Sequence, residues 1–289
     1  MTSRKTAFCP GHITAFFEIC DQAEEPLKKG SKGAGICTSL GARSTVAIDE
    51  SAWQQVTVRI DGKESDGAVT KDAINYLIGD ENLTIEVDTA LDLPMEQGFA
   101  MSAAGALSAS YALCAALDVD TRKAFKAAHI AEVKNKTGLG DVAGIYAGGM
   151  EIRLEPGLPP HGVVEHIDAK SELILTILGK PIKTSDVLTD PVKRQAISAA
   201  GRRCIDEFAN NRTLEHLFVL GMEFVEDAGL ISKDVLKGMM EAEKHGMASM
   251  VMLGNSIFCV GDTDDLLKAL KPFGPTYRCE IDQKGPRLL

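Results

Sequence analysis

The chain has 289 residues, 45% of them apolar and 25% charged, with 31 basic against 41 acidic side chains and a formal net charge of −10. That length supports one large domain or two ordinary ones with a sizeable core, and the balance excludes extensive disorder. The acidic excess argues against nucleic-acid or anionic-membrane binding as the general function.

The opening stretch MTSRKTAFCPGHITAFFEI is basic, but its apolar run is too short for a signal peptide and Asp21 soon follows. Residues 31–35 (SKGAG) read as a glycine-rich loop, either at a cleft or as a plain turn between strands. Ser44–Ile48 and Gln55–Ile60 have the β-branched content of strands, and Asp61-Gly62 after the second is a hairpin turn signal. Gly67–Leu77 carries Ala68, Val69, Ala73, Ile74 and Leu77 on one side, which predicts a helix. Leu83–Val87 is a further strand. Ser102–Leu117 is apolar almost all round and predicts a buried helix. Arg122–Lys134 is an amphipathic helix ending before Thr137-Gly138-Leu139-Gly140, and Glu151–Leu154 is a strand.

Residues 155–162 (EPGLPPHG) are dense in Pro and Gly and suggest a boundary between two domains, 1–160 and 161–289. Beyond it come a strand at Leu173–Leu178, helices from about Ser185 to Lys244 and two strands around Gly254. A helix at Asp262–Leu270 and a strand at Tyr277–Ile281 close the chain. Strands, then a helix cluster, then strands again imply an α+β fold. The seven cysteines are scattered singly, which disfavours a disulfide framework or a zinc site and suggests a reducing compartment. With no apolar run of spanning length, a cytoplasmic protein is expected.

Residues 94–110 (PMEQGFAMSAAGALSAS) place little side-chain bulk where a loop becomes a helix. Close packing explains this. So does a phosphate approaching the uncapped backbone N–H groups of a helix start. The lysine of a P-loop is missing, and so is a Rossmann fingerprint. An Asp after glycines, such as Asp141, is usually an N-cap. Glu132 reads as an exposed helix carboxylate with Lys136 as its i, i+4 partner.

Pro94-x-x-x-Gly98-Phe99-Ala100-Met101-Ser102-Ala103-Ala104 resembles the P-x-x-x-G-L-G-S-S-A phosphate loop of the GHMP kinases, with departures at Phe99, Ala100 and Met101. Three other segments fall in the right order. Phe8-Cys9-Pro10-Gly11-His12-Ile13 is similar to the family's N-terminal motif, and Gly138-Leu139-Gly140-Asp141 with Gly148-Gly149 to its catalytic turn. Ser249–Gly261 is similar to the third motif, although Leu253 and Asn255 replace small residues there. Within the superfamily, CPGHITAFFEI, SKGAGICTSLGA, LPMEQGFAMSAAGALS and the SMVMLGNSIF form of the third motif most resemble the archaeal kinases that act on pantoate.

The resemblance implies a ribosomal-S5-like N-terminal domain and a ferredoxin-like C-terminal domain, with ATP and Mg²⁺ as cofactors. It implies that Pro94, Gly98, Ala100, Ser102 and Ala103 cradle the phosphates and that Ser102 and Glu132 hold the metal. Asp141 would be the base or orienter for the acceptor hydroxyl. Arg153 would hold the carboxylate of pantoate, with Thr184 also on the substrate side; a strand-edge arginine and a helix N-cap are their plain alternatives. His12, in the N-terminal motif, either lines the substrate cleft or is structural, and a lone His is more often structural. Superfamily precedent points to a homodimer. The alternatives are another alcohol acceptor of homoserine, mevalonate or sugar type, or a homologue that has lost nucleotide binding and only binds ligands.

Overall fold

The structure is a computed structural model that describes residues 3–182 and 184–289, with the side chains of residues 185 and 186 outside that description. Two long antiparallel strands, β1 (Ser3–Cys20) and β2 (Gly30–Glu50), come first. Residues 31–35, read as a loop at a cleft or a turn, are strand: β2 runs straight through them, with Ser31 on the wall of a cavity. Its glycines serve close approach instead: a Cβ on Gly35 would overlap the Ile13 carbonyl of β1 and stand 2.7 Å from His12 Nε2.

After β3 (Gln55–Ile60), Asp61 and Gly62 both take positive φ, 51° and 75°, and turn the chain into β4 (Lys63–Ser65). That is the left-handed pair a tight hairpin needs. Helix α1 (Ala68–Ile78) and strand β5 (Leu83–Leu91) follow, then α2 (Met101–Ala116), α3 (Arg122–Asn135) and α4 (Asp141–Ala147). Next comes a hairpin of β6 (Met150–Glu155) and β7 (Val163–Ile167). The second half contains β8 (Glu172–Ile177), α5 (Thr184–Leu188), α6 (Pro191–Asn210), α7 (Leu214–Ala228) and α8 (Lys233–Ala242). It ends with β9 (Gly246–Val251), β10 (Ser256–Gly261), α9 (Thr263–Leu270), β11 (Thr276–Glu280) and β12 (Arg287–Leu288).

Among the described residues the strands form two sheets. The first runs β12-β1-β2-β5-β3-β4, with β6 also paired to β2 and β7 to β6; the second runs β11-β8-β10-β9. Only β3 and β5 pair in parallel. The class is α+β, as the order of elements predicts. The expected division at residue 160 falls between β6 and β7, which pair with each other, and β12 returns to β1 from the far end of the chain. Sequence reading passed over β7 because it is a short, largely exposed strand without a clear apolar alternation.

Helix α2 is buried around most of its circumference, packed on β1 and β2 and flanked by α1 and α3. Its small residues therefore do serve close packing. Beneath it the hydroxyls of Ser44, Thr89 and Ser108 satisfy one another at 2.7–2.8 Å. On the other face of the sheet, α6 crosses β1 at Gly201, where an added Cβ would overlap the Phe17 carbonyl. Alanine is favoured over glycine inside a helix by about 1 kcal/mol. Overlap with a strand backbone that cannot rotate away reverses the sign. Gly201→Ala is therefore expected to destabilise the protein by ~1–3 kcal/mol in a urea melt; an unchanged midpoint would mean that α6 slides freely.

Candidate active site

Between β5 and α2 the chain makes three left-handed turns, at Glu96 (φ 59°), Gly98 (φ 82°) and Ala100 (φ 55°). A Cβ on Gly98 would lie 2.6 Å from Met252 O, so this glycine lets the loop press on the β9–β10 turn. Buried Gln97 fastens the contact. Its Nε2 donates to Gly179 O at 3.1 Å, and its Oε1 accepts from Ser256 Oγ at 3.2 Å. Helices α6 to α9 open on side-chain caps from Asp190, Thr213, Ser232 and Asp262, whereas the start of α2, like those of α1, α3 and α4, has none. A cavity of about 400 Å³ opens in front of it.

On the cavity wall Ser102 Oγ donates to Glu132 Oε1 at 2.7 Å, and Thr137 Oγ1 donates to the same oxygen at 2.9 Å. Glu132 is only 3% exposed. Burial pushes its carboxyl up to about 7; the neighbouring Asp141 charge adds to the rise, and the two hydroxyls oppose it. The surface pair with Lys136 does not form, because the Glu132 side chain turns inward. Gly138 makes room, since a Cβ there would overlap Glu132 Oε2 and stand 2.9 Å from Asp141 Oδ2.

Asp141 is the first residue of α4 and caps nothing with its side chain. Its Oδ1 lies 3.0 Å from His12 Nδ1, while His12 Nε2 lies 3.1 Å from Glu151 Oε1. Glu151 in turn pairs with Arg153. His12 is fully buried. Burial works against its charged form, but the hydrogen bonds to Asp141 and Glu151 outweigh that and raise its pKa above the ordinary value. Only an imidazolium donates to both carboxylates at once. Gly144 and Gly35 leave space for the ring, because a Cβ on either would run into it.

The arrangement joins an uncapped helix start, a buried carboxylate with two converging hydroxyls, and an oriented aspartate on one cavity. The GHMP kinases N terminal domain family matches residues 68–149, from α1 through α4. A pantoate kinase of Thermococcus kodakarensis is 34% identical over 270 residues, covering 91% of this chain and 89% of that protein. Another, of Methanocaldococcus jannaschii, is 33% identical over 274 residues, covering 95% and 99%. The chain belongs to the pantoate kinase family of GHMP kinases.

In three dimensions it superposes on a solved "Phosphotransferase related to CoA biosynthesis pathway" with a TM-score of 0.88 at 32% identity, over 100% of this chain and 99% of that one. A mevalonate kinase structure, 13% identical with a TM-score of 0.67 over 98% and 100% of the two chains, shares the fold alone.

Of the residues that the pantoate kinase resemblance singles out, Gly98, Ala100, Ser102, Glu132, Asp141 and Thr184 line the cavity. Pro94 is exposed on the loop outside it, and Ala103 points into the core. Arg153 is 1% exposed and stands behind the wall, where a Cβ on Gly140 would overlap Ser31 Oγ and lie 2.9 Å from Arg153 Nε. Sequence reading missed two parts of the site. His12, weighed at the cleft for its place in the N-terminal motif and then set aside as structural, touches Asp141. Gln97 and Glu151 carried no signal, because the contacts that tie them to the site, Gly179 and Ser256 for Gln97 and His12 for Glu151, come from elements remote in sequence.

Proposed function

We propose that the protein transfers the γ-phosphoryl group of ATP to the terminal hydroxyl of pantoate, giving 4-phosphopantoate for coenzyme A biosynthesis. Likeness to pantoate kinases over nearly the whole chain carries this reading. In it the phosphates lie against the loop from Gly98 to Ala100 and the first N–H groups of α2, where the helix dipole favours negative charge. Asp141, held by His12, accepts the proton of the attacking hydroxyl.

Magnesium suits Ser102 and Glu132. The ion takes hard oxygen ligands, uses one or two side chains and completes its shell with phosphate oxygens and water. A fuller protein cage is not needed, and among the described residues no cluster of three His, Cys, Asp or Glu side chains forms one. Buried Glu132, with two hydroxyls already turned toward it, presents such an oxygen set. Once bound, the metal would neutralise phosphate charge.

Arg153 is the partner proposed for the substrate carboxylate. Its Nε is buried with no hydrogen-bond acceptor in the structure, beside Ser31 and Gly140 of the wall. An arginine with an unused donor is suited to a carboxylate. Thr184, at the start of α5, faces the same cavity. A cytoplasmic location and a homodimer are part of the proposal; no helix of the described residues is long and apolar enough to cross a membrane.

The test is ATP consumption by the purified protein with Mg²⁺, offered pantoate, homoserine, mevalonate and galactose in parallel. Turnover on pantoate alone is expected. Turnover on another of the four and none on pantoate would overturn the substrate while leaving the fold assignment intact.

A further inference from the structure

We propose that Lys136 is a catalytic residue that contacts the phosphoryl group in transit, an assignment that rests on the ATP-dependent reading above. The cavity wall carries the carboxylates of Glu96, Glu132 and Asp141, and Lys136 is the one basic residue lining it among the described residues. A nucleoside triphosphate adds further negative charge to the same space. The magnesium proposed on Ser102 and Glu132 offsets part of that charge, and Lys136 is the side chain placed to offset more of it.

Among the described residues, the neighbouring cations Lys134, Arg153 and Lys32 are engaged elsewhere. Lys134 Nζ donates to Asp72 at 2.9 Å, Arg153 pairs with Glu151, and Lys32 lies 3.2 Å from Glu155. The exposed Lys136 side chain makes no hydrogen bond or ion pair with any described residue. Its backbone is fixed nonetheless. As C-cap of α3 it adopts φ 57° and ψ 34°, and its N–H bonds back to the Glu132 and Val133 carbonyls. Glycine is the usual residue in this left-handed position, and another residue there is strained. The backbone thereby fixes Lys136 on the short link between Glu132 and the Gly138–Asp141 turn, with its unpaired side chain at the cavity.

During phosphoryl transfer, charge spreads over the equatorial oxygens of the group in flight. A cation fixed beside them stabilises that charge more than it stabilises the resting triphosphate. A lysine acting only on the α3 dipole would be redundant with Lys134 in the same turn, and would register in stability alone.

The experiment compares the full-length wild type with Lys136→Ala and Lys136→Arg. Titration calorimetry measures binding of the β,γ-imido analogue of ATP and of ADP with Mg²⁺, and steady-state kinetics follow pantoate phosphorylation. Lys136→Ala is expected to bind the triphosphate analogue ~10-fold more weakly while ADP affinity stays within about twofold, with kcat reduced by ~10²-fold. Lys136→Arg should restore most triphosphate binding. An unchanged ratio of triphosphate to diphosphate affinity in Lys136→Ala, whether or not the variant melts earlier, overturns the assignment. A wild type that discriminates triphosphate through Lys136 but ignores pantoate sinks the substrate reading and leaves Lys136 in place. A wild type that binds neither nucleotide overturns both.

Discussion

Asp141→Asn is expected to lower kcat for pantoate phosphorylation by roughly 10²–10⁴-fold, the usual worth of a positioned base. Mg²⁺·ATP affinity should stay within about threefold, because in the proposed reading the residue acts on the acceptor hydroxyl and not on resting nucleotide. The amide is nearly isosteric and keeps an oxygen toward His12 Nδ1, now 3.0 Å from the carboxylate. His12 also retains Glu151 on its other nitrogen. The fold and the ring orientation should therefore survive, so the loss can be read as chemistry. Steady-state kinetics with parallel calorimetry make the check. A variant that raises KM at constant kcat would show that Asp141 binds the acceptor and takes no proton from it.

Glu132→Gln should separate stability from activity. In the metal-free protein the Glu132 carboxyl titrates near 7 because of burial, against 4.5 for the free side chain. The folded state therefore holds a proton that the unfolded state has lost between these values. Stability falls as pH rises through that window, by on the order of 3 kcal/mol for this one group. Glutamine removes the penalty and can still accept from Ser102 and Thr137. At pH 8 without magnesium, Glu132→Gln is expected to melt a few degrees higher than the wild type, and at pH 5 the gap should close. With magnesium and ATP the order reverses: kcat/KM should fall by roughly 10² or more for loss of a charged metal ligand. The wild type carries a related signature. Protons compete for the ligand, so apparent Mg²⁺ affinity should weaken as pH drops below 7, up to about tenfold per unit. A flat profile would remove Glu132 from the metal.

Much of this fold was legible along the chain. Helices α1, α2 and α3 begin and end within one or two residues of where apolar spacing and the glycines at 67 and 138 place them. The β3–β4 turn follows from Asp61-Gly62 alone. Residues 31–35 misled because glycine has two uses. In a turn it takes positive φ, and in a sheet it admits a close neighbour; which one applies depends on pairing with β1 and with β6, the latter far away in sequence. The candidate site divides the same way. Ser102, Glu132 and Asp141 stand in family motifs and converge on one cavity. The partners of those residues were hidden, because a buried Glu132 and an exposed one look identical in sequence, and the contact of His12 with Asp141 spans 129 positions.

The loop from Leu93 to Ala100 belongs to the first sheet by connectivity, yet its middle is bonded to the second. Glu96 O accepts from Ile182 N at 2.9 Å, and Gln97 bridges Gly179 and Ser256. It works as a rivet through two plates. The layers cannot swing apart like a hinged jaw without first shearing the segment on which the phosphates would rest. Loosening of the layers and loss of the proposed nucleotide seat would then be a single event, and a phosphate bound on that segment would tighten the seam between the sheets.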